Sequence, residues 1–342
     1  MQRQRLIEAW LSELRPGRAF VLAPASADAS FRRYFRAALD DGSTSIIMDA
    51  PPGREDVRPW LHVQSLFQSA GIHVPEVLAA DMEQGFLLLS DLGSTTYLAA
   101  LNTSGPAEDV QQLYLDAIDA LVRIQLASRA DCLPEYDSVL LRREMDLFPD
   151  WYVTKHLDTT LSENQRGQLE ECFKKILAVN LAEPRVFVHR DYHSRNLMVA
   201  NPNPGIVDFQ DAVHGPISYD LASLFKDAYV DWDEEITLDW LIRYWEKARQ
   251  AGLPVRSDFS EFHRDYEWMG VQRHLKVLGI FARLYHRDGK GGYLKDMPLV
   301  AKYLRAACER YSELTPLRKL LDQLEDKVMV LGHTLPASIE KP

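Results

Sequence analysis

The stretch from residue 186 to residue 211, VFVHRDYHSRNLMVANPNPGIVDFQD, decides how the rest of the chain is read. Residues 186–188 form an apolar run that delivers His189, Arg190 and Asp191 to a turn. Asn196 comes five positions after Asp191, the apolar pair Leu197 and Met198 leads away, and Ile206 and Val207 deliver Asp208. Alternation of β-type runs with polar tips predicts that Asp191, Asn196 and Asp208 gather at one edge. Two carboxylates and an amide suit one proton acceptor and two oxygen ligands for magnesium, a hard cation that keeps several of its waters. Those are the parts that phosphoryl transfer requires.

The surrounding chain has 342 residues, 46% of them hydrophobic and 26% charged, enough for two lobes with packed cores. A formal charge of −11 argues against a nucleic-acid partner, because affinity for phosphate backbones needs clustered Lys and Arg. Near the start, Leu6, Ile7, Trp10, Leu11 and Leu14 fall at helical spacing without a signal-peptide core, and no later segment is apolar enough to span a bilayer. Cys132, Cys172 and Cys308 lie far apart without CxxC pairing, which reads as thiols in a reducing cytoplasm rather than a disulfide framework or zinc knuckle. A cytoplasmic protein with a small-molecule partner and no membrane association is the expectation. Its oligomeric state stays open.

After the first helix, β-type runs at 19–22, 31–38, 45–48, 76–80 and 85–89 are interrupted by a helix over 60–69 that stops at Gly71 with Pro75 beyond. This predicts a small antiparallel sheet. From Thr95 onward helical periodicity dominates, near 107–127, 139–157 and 163–180, then, after the polar-tipped strands, near 218–229, 235–250, 258–287, 294–310 and 313–330. The tail, 335–342, reads as solvated. The expected class is α+β in two lobes, residues 1–92 and 93–342, with a hinge at about 89–94.

Residues 189–196, HRDYHSRN, match the H-R-D-x-x-x-x-N catalytic loop, and Asp208-Phe209-Gln210 stands where D-F-G would follow. The chain thus resembles the wider protein-kinase-like superfamily. Gly215 and Pro216 follow Asp208 closely, and Asp220-Leu221-Ala222 comes at once, leaving no room for a long activation loop. DFQDAVHGPISYDLASL instead resembles the aminoglycoside and choline phosphotransferases. The resemblance implies a two-lobed kinase-like fold that uses ATP and Mg2+, with Asp191 as catalytic base, Asn196 and Asp208 as metal ligands, and His189 and Asp220 as supports of the loop. Adenine would sit at the hinge, with Leu89, Asp91 and Leu92 as nucleotide contacts.

The first lobe departs from that pattern. ASADASFRRYFR, residues 25–36, holds no glycine where a glycine-rich phosphate loop belongs, so Ser26, Ala29 and Ser30 would let the backbone approach the phosphates. Met48 replaces the phosphate-binding lysine, and residues 60–64 offer no glutamate to pair with one. Losing both partners is coherent, since a buried glutamate without its lysine would be costly. Arg32, Arg33 or Arg36 could supply the missing charge. These departures, with LLSDLG and RREMDLFPDWY, resemble the bacterial amino-sugar kinases that phosphorylate the anomeric hydroxyl of N-acetylmuramate and N-acetylglucosamine in cell-wall recycling. That implies a sugar 1-phosphate as product, with the preferred sugar and anomer open.

Candidate sugar contacts are Glu144, Trp151, His193, Arg195, Asp211, Gln272 and Arg273. Carboxylates and amides bind hydroxyl pairs, a Trp face suits sugar C–H groups, and an Arg meets the lactyl carboxylate of muramate. Trp151 reads equally as core and Arg273 as a helix-surface charge. Three other readings remain: an aminoglycoside or choline-like acceptor; a metal-dependent hydrolase caged by His189, Asp191, His193 and Asp208; and a degenerate kinase that binds nucleotide without turnover.

Overall fold

The computed structural model describes residues 2–27, 31–103 and 107–330, with the backbone alone described for 26, 27, 107, 108 and 326–330. The tail 335–342, like Ala29 and Ser30, lies outside the described residues. In chain order the elements are α1 (Gln2–Leu14), β1 (Phe20–Ala27), β2 (Arg33–Leu39), β3 (Thr44–Asp49), α2 (Arg58–Ser69), β4 (Val77–Asp81), β5 (Phe86–Ser90), α3 (Tyr97–Leu101), α4 (Ala107–Leu126) and α5 (Ser138–Met145). A π-helical stretch (Phe148–His156) precedes α6 (Glu163–Asn180), β6 (Arg185–Val188), β7 (Leu197–Met198), β8 (Gly205–Ile206), β9 (Val213–Pro216), α7 (Tyr219–Phe225) and α8 (Glu234–Gln250). Then come α9 (Phe259–Asp288), α10 (Met297–Arg310) and α11 (Thr315–Val330), the last two each preceded by a short 3-10 turn.

Two compact units are formed, one from residues up to 127 together with 195–211, the other from 128–194 together with residues from 212 onward. The first holds an antiparallel sheet of order β1-β2-β3-β5-β4. Its β-branched and leucine-rich central strands fit a half-buried pleated surface. Helix α1 lays Ile7, Trp10 and Leu11 on Ala37, Ile47, Phe86 and Leu88, while Leu6 and Leu14 stay exposed. The buried Asp49 carboxylate takes Arg3 from α1 and Arg33 from β2, so the helix is tied to the sheet by charge as well as by apolar area. Met48 is wholly buried. On α2, Gln64 is buried and donates to the Pro75 carbonyl at 3.1 Å.

In the second unit α9 is the axis. Every residue from 265 to 279 is buried, the signature of a helix covered on all sides. Gly279 permits this: a Cβ there would stand 2.4 Å from the Leu147 carbonyl. Around Val271, Leu275 and Leu278 pack Met145, Phe148, Phe173, Ile176, Val300, Leu304, Leu317 and Leu324, with the Cys172 and Cys308 thiols buried among them. Ser162 and Gln165 form a capping box at the start of α6, and Gly289, at φ 68°, ends α9 in the left-handed region that suits glycine.

Three expected helices differ. The helix expected over 139–157 breaks after α5 into the π-helical stretch, because Pro149 has no N–H for the regular ladder. The helix expected over 218–229 ends at Phe225, and the one near 294–310 is regular only from Met297. Strand β9 was not read from the sequence; its Gly215 is required because a Cβ would lie 2.7 Å from that of Tyr136.

Candidate active site

In the second unit, β6 pairs antiparallel with β9, Val188 facing Val213, and hands the chain to residues 189–194. Arg190 adopts φ 76°, a conformation that costs a non-glycine residue energy and persists only where its surroundings enforce it. The enforcing group is Asp220 at the start of α7, which accepts the His189 N–H at 2.7 Å and the Arg190 N–H at 3.0 Å. The wholly buried His189 ring accepts the Asp191 N–H at 3.3 Å through Nδ1. At the far end of the loop, Asp227 accepts the N–H groups of Ser194 and Tyr229 at 3.0 and 3.1 Å, and His193 stacks edge-on against Tyr229. Asp191 therefore stands on a loop whose backbone donors are held from three sides.

A buried charge network lies around it. Glu144 accepts the Arg190 guanidinium and the Tyr136 hydroxyl, Gln272 Nε2 at 3.1 Å, and Lys276 Nζ at 3.2 Å. Lys276 also donates to Tyr219 Oη at 2.9 Å. Loss of water opposes ionisation of Asp191, but the charges of Lys276, His193, Arg190 and Arg273 outweigh it and hold the carboxyl down at about 2. Asp220 goes the other way: burial pushes it up to about 7 despite its two backbone donors, and the Asp191 anion adds to the rise. Two carboxylates near one loop thus separate into an anion and a group that is half protonated near neutrality.

In the first unit, Asn196 Nδ2 lies 3.4 Å from Asp208 Oδ2, and Asn196 O accepts the Val207 N–H. Asp208, at φ 64°, is a second non-glycine residue in the left-handed region. The buried Phe209 ring pins it, wedged against Trp60 and Phe67 of α2. Gln210 donates to Asp208 Oδ1 at 2.9 Å, and Arg32 Nη2 is 3.9 Å from the same oxygen. The Asp208 side chain keeps 39% of its surface open. A partly open carboxylate beside an amide fits the needs of magnesium, which takes one or two protein oxygens and completes its shell with water and phosphate. Among the described residues, no three His, Cys, Asp or Glu side chains gather to hold a metal.

The three arginines of β2 and its approach separate by partner. Arg33 belongs to Asp49. Arg36 grips Asp91 through two bonds, 2.6 and 3.0 Å, and donates to the Gly93 carbonyl at 2.8 Å. Arg32 alone reaches toward Asp208. At the expected hinge, Leu89 is buried in β5, while the Asp91 carboxylate is occupied by Arg36 and the Gly93 N–H. Leu92 sits over Gly205, where a Cβ would come within 3.0 Å of Leu92 Cδ1. The Ser26 side chain, Ala29 and Ser30 fall outside what is described.

Among the acceptor candidates, Glu144 has both oxygens taken by four donors, so it holds the network rather than offering a vacant carboxylate. Trp151 packs partly buried on the core of the second unit. Gln272 and Arg273 are buried on α9, His193 and Arg195 are partly buried, and Asp211 is exposed. Sequence reasoning missed Lys276 and Asp227, because single charged residues in helical or turn segments ordinarily read as solvated.

The sequence profile of the phosphotransferase enzyme family matches residues 21–258. A protein of Neisseria meningitidis serogroup B named N-acetylmuramate/N-acetylglucosamine kinase is 52% identical over 335 residues, 98% of this chain and 100% of its own. One of the same name from Pseudomonas aeruginosa is 50% identical over 303 residues, 89% of this chain and 88% of its own. Among solved structures, a choline/ethanolamine kinase family protein from Mesorhizobium loti superposes with TM-score 0.63 at 16% identity, over 92% of this chain and 99% of that one. An ADP-bound aminoglycoside phosphotransferase superposes with TM-score 0.56 at 16% identity, over 87% and 96%. The likeness to the solved structures is one of fold.

Proposed function

The chain belongs to the phosphotransferase enzyme family, and from that premise we propose that it transfers the γ-phosphoryl of ATP to the anomeric hydroxyl of N-acetylmuramate or N-acetylglucosamine. The observation that carries the reading is the Asp191 carboxylate, kept ionised on a loop braced by Asp220, His189 and Asp227. Residues 1–92 would bind nucleotide, with adenine at 89–94 and Ser26, Ala29, Ser30, Arg32, Leu89, Asp91 and Leu92 as contacts. Residues 93–342 would carry catalysis and sugar binding, with Trp151, His193, Arg195, Asp211 and Arg273 toward the sugar.

In this mechanism the C1 hydroxyl is oriented by a hydrogen bond to Asp191, its oxygen attacks the γ-phosphorus, and the bond to the β–γ bridging oxygen breaks as ADP departs. A carboxylate at about 2 is a weak base, so the hydroxyl keeps its proton until the phosphorus–oxygen bond is forming and Asp191 then accepts it. Asn196 and Asp208 would hold Mg2+, which when bound offsets the charge that develops on the phosphates. Asp220 and His189 act through the loop and touch no reactant. Among the described residues no helix is long and apolar enough to cross a membrane, and a cytoplasmic role in reusing cell-wall sugars accords with an ATP-dependent reaction on such an acceptor.

The test is an acceptor panel with ATP and Mg2+, read by ADP release: N-acetylmuramate, N-acetylglucosamine, hexoses, aminoglycosides and choline. Turnover on the two N-acetylated sugars above all others is expected. Equal or greater turnover on choline or an aminoglycoside would overturn the assignment, and product formation without ATP would overturn the reaction class.

A further inference from the structure

Arg273 is 3% exposed and lies in the middle of α9, yet it makes no ion pair and no side-chain hydrogen bond among the described residues. Its Nη1 is fully buried without a partner. Such a site is expensive, because a guanidinium cannot shed its charge and an unpaired buried ion forfeits hydration. Neighbouring cations of the same network are compensated: Arg190 and Lys276 both reach Glu144. The adjacent Gln272 donates to Glu144 but leaves its own Oε1 buried and unpartnered. Two consecutive residues of one helix thus present a buried guanidinium nitrogen and a buried amide oxygen that no hydrogen bond satisfies among the described residues. The location is catalytic, since the Arg273 charge acts on both Asp191 and Asp220.

Resting on the kinase reading above, we infer that Arg273 is the anion-binding residue of the acceptor subsite and grips the lactyl carboxylate that N-acetylmuramate carries and N-acetylglucosamine lacks. A carboxylate supplies the missing counter-ion and, with its two oxygens, the geometry a guanidinium fork prefers. The neutral sugar leaves Arg273 as it is in the free protein, so it is accepted without that gain. One active site then serves both sugars with a built-in preference for the acid.

The experiment compares kcat and KM for the two sugars in the wild type, Arg273→Gln and Arg273→Lys, with calorimetric binding and thermal unfolding of each protein. The wild type is expected to favour N-acetylmuramate. Arg273→Gln is expected to raise its KM about 10- to 100-fold, the worth of a charge-assisted hydrogen bond, and to leave the KM for N-acetylglucosamine far less affected, while any loss of kcat through the Arg273 charge on Asp191 is shared by both sugars. Arg273→Lys should recover part of the loss in KM, and thermal unfolding checks that each variant is folded. A substrate-side variant needs no mutation: N-acetylmuramate with its carboxyl converted to a carboxamide should bind the wild type about tenfold or more weakly. Parallel rises in KM for both sugars, or equal binding of acid and carboxamide, would overturn the inference while leaving the kinase reading intact. Failure of the wild type to phosphorylate either sugar would overturn both.

Discussion

Removing the Lys276 ammonium takes away the foremost charge that offsets the desolvation of Asp191. The sign follows from linkage: the anion is the active form, so a depressed carboxyl keeps the enzyme active as the medium is acidified, and raising it moves the acid limb of the rate profile upward. In wild type that limb, set by a group at about 2, falls below the working range. In Lys276→Met the acid limb of kcat/KM should rise by about one pH unit or more; a profile that merely scales down would show Lys276 to be structural. Asp191→Asn should lower kcat about 10²- to 10⁴-fold with the thermal midpoint little changed. Arg32→Met should weaken ATP binding about tenfold or more in calorimetry while adenosine binding holds, because the Arg32 guanidinium lies 3.9 Å from Asp208; equal losses for both ligands would remove it from phosphate recognition. The turn that carries Asp191 after β6 and the approach of Asn196 to Asp208 were legible in the sequence, because β-type runs with polar tips fix where those side chains emerge. The sequence left Arg32, Arg33 and Arg36 interchangeable, since only folded partners distinguish them: Asp208, Asp49 and Asp91.

Elements were readable where periodicity was strong and their ends free of conflict, as in the five-stranded sheet and in α6 and α9. The break at Pro149 was written in the chain but masked by the apolar spacing on either side. Glu183, in the turn between α6 and β6, shows why burial is harder to read: nothing local marks it, yet it is 4% exposed and accepts the Ser218 N–H at 3.1 Å. Burial pushes its carboxyl up to about 8, the Asp265 anion adds to the rise, and Ser218 and Arg256 oppose it. The native form therefore binds more protons than the unfolded chain, whose Glu titrates near about 4.3. Its contribution to stability is lost as pH rises through that window, up to about 8. In Glu183→Gln the thermal midpoint relative to wild type should climb between pH 5 and pH 8.5. A difference that stays flat across that range would show that Glu183 is already ionised in the native state.

At the scale of the molecule, the stretch from 186 to 211 passes from the second compact unit to the first, leaving Asp191 in one and Asn196 and Asp208 in the other. A small antiparallel sheet followed by a mostly helical remainder is what the alternation of β-type and helical runs indicated, and the fold of the matched kinases agrees. The acceptor side was less legible, because no local pattern announces the burial of Arg273 and Gln272 on α9. The central claim is phosphoryl transfer from ATP to the anomeric oxygen with Asp191 as acceptor of its proton. Phosphorus NMR of the product made from ATP and N-acetylmuramate tests it most directly. The account expects one new phosphomonoester signal coupled to the anomeric proton, growing at least about a hundredfold more slowly when Asp191→Asn replaces the wild type. A signal coupled to any other ring or side-chain position, or inorganic phosphate alone, would contradict it.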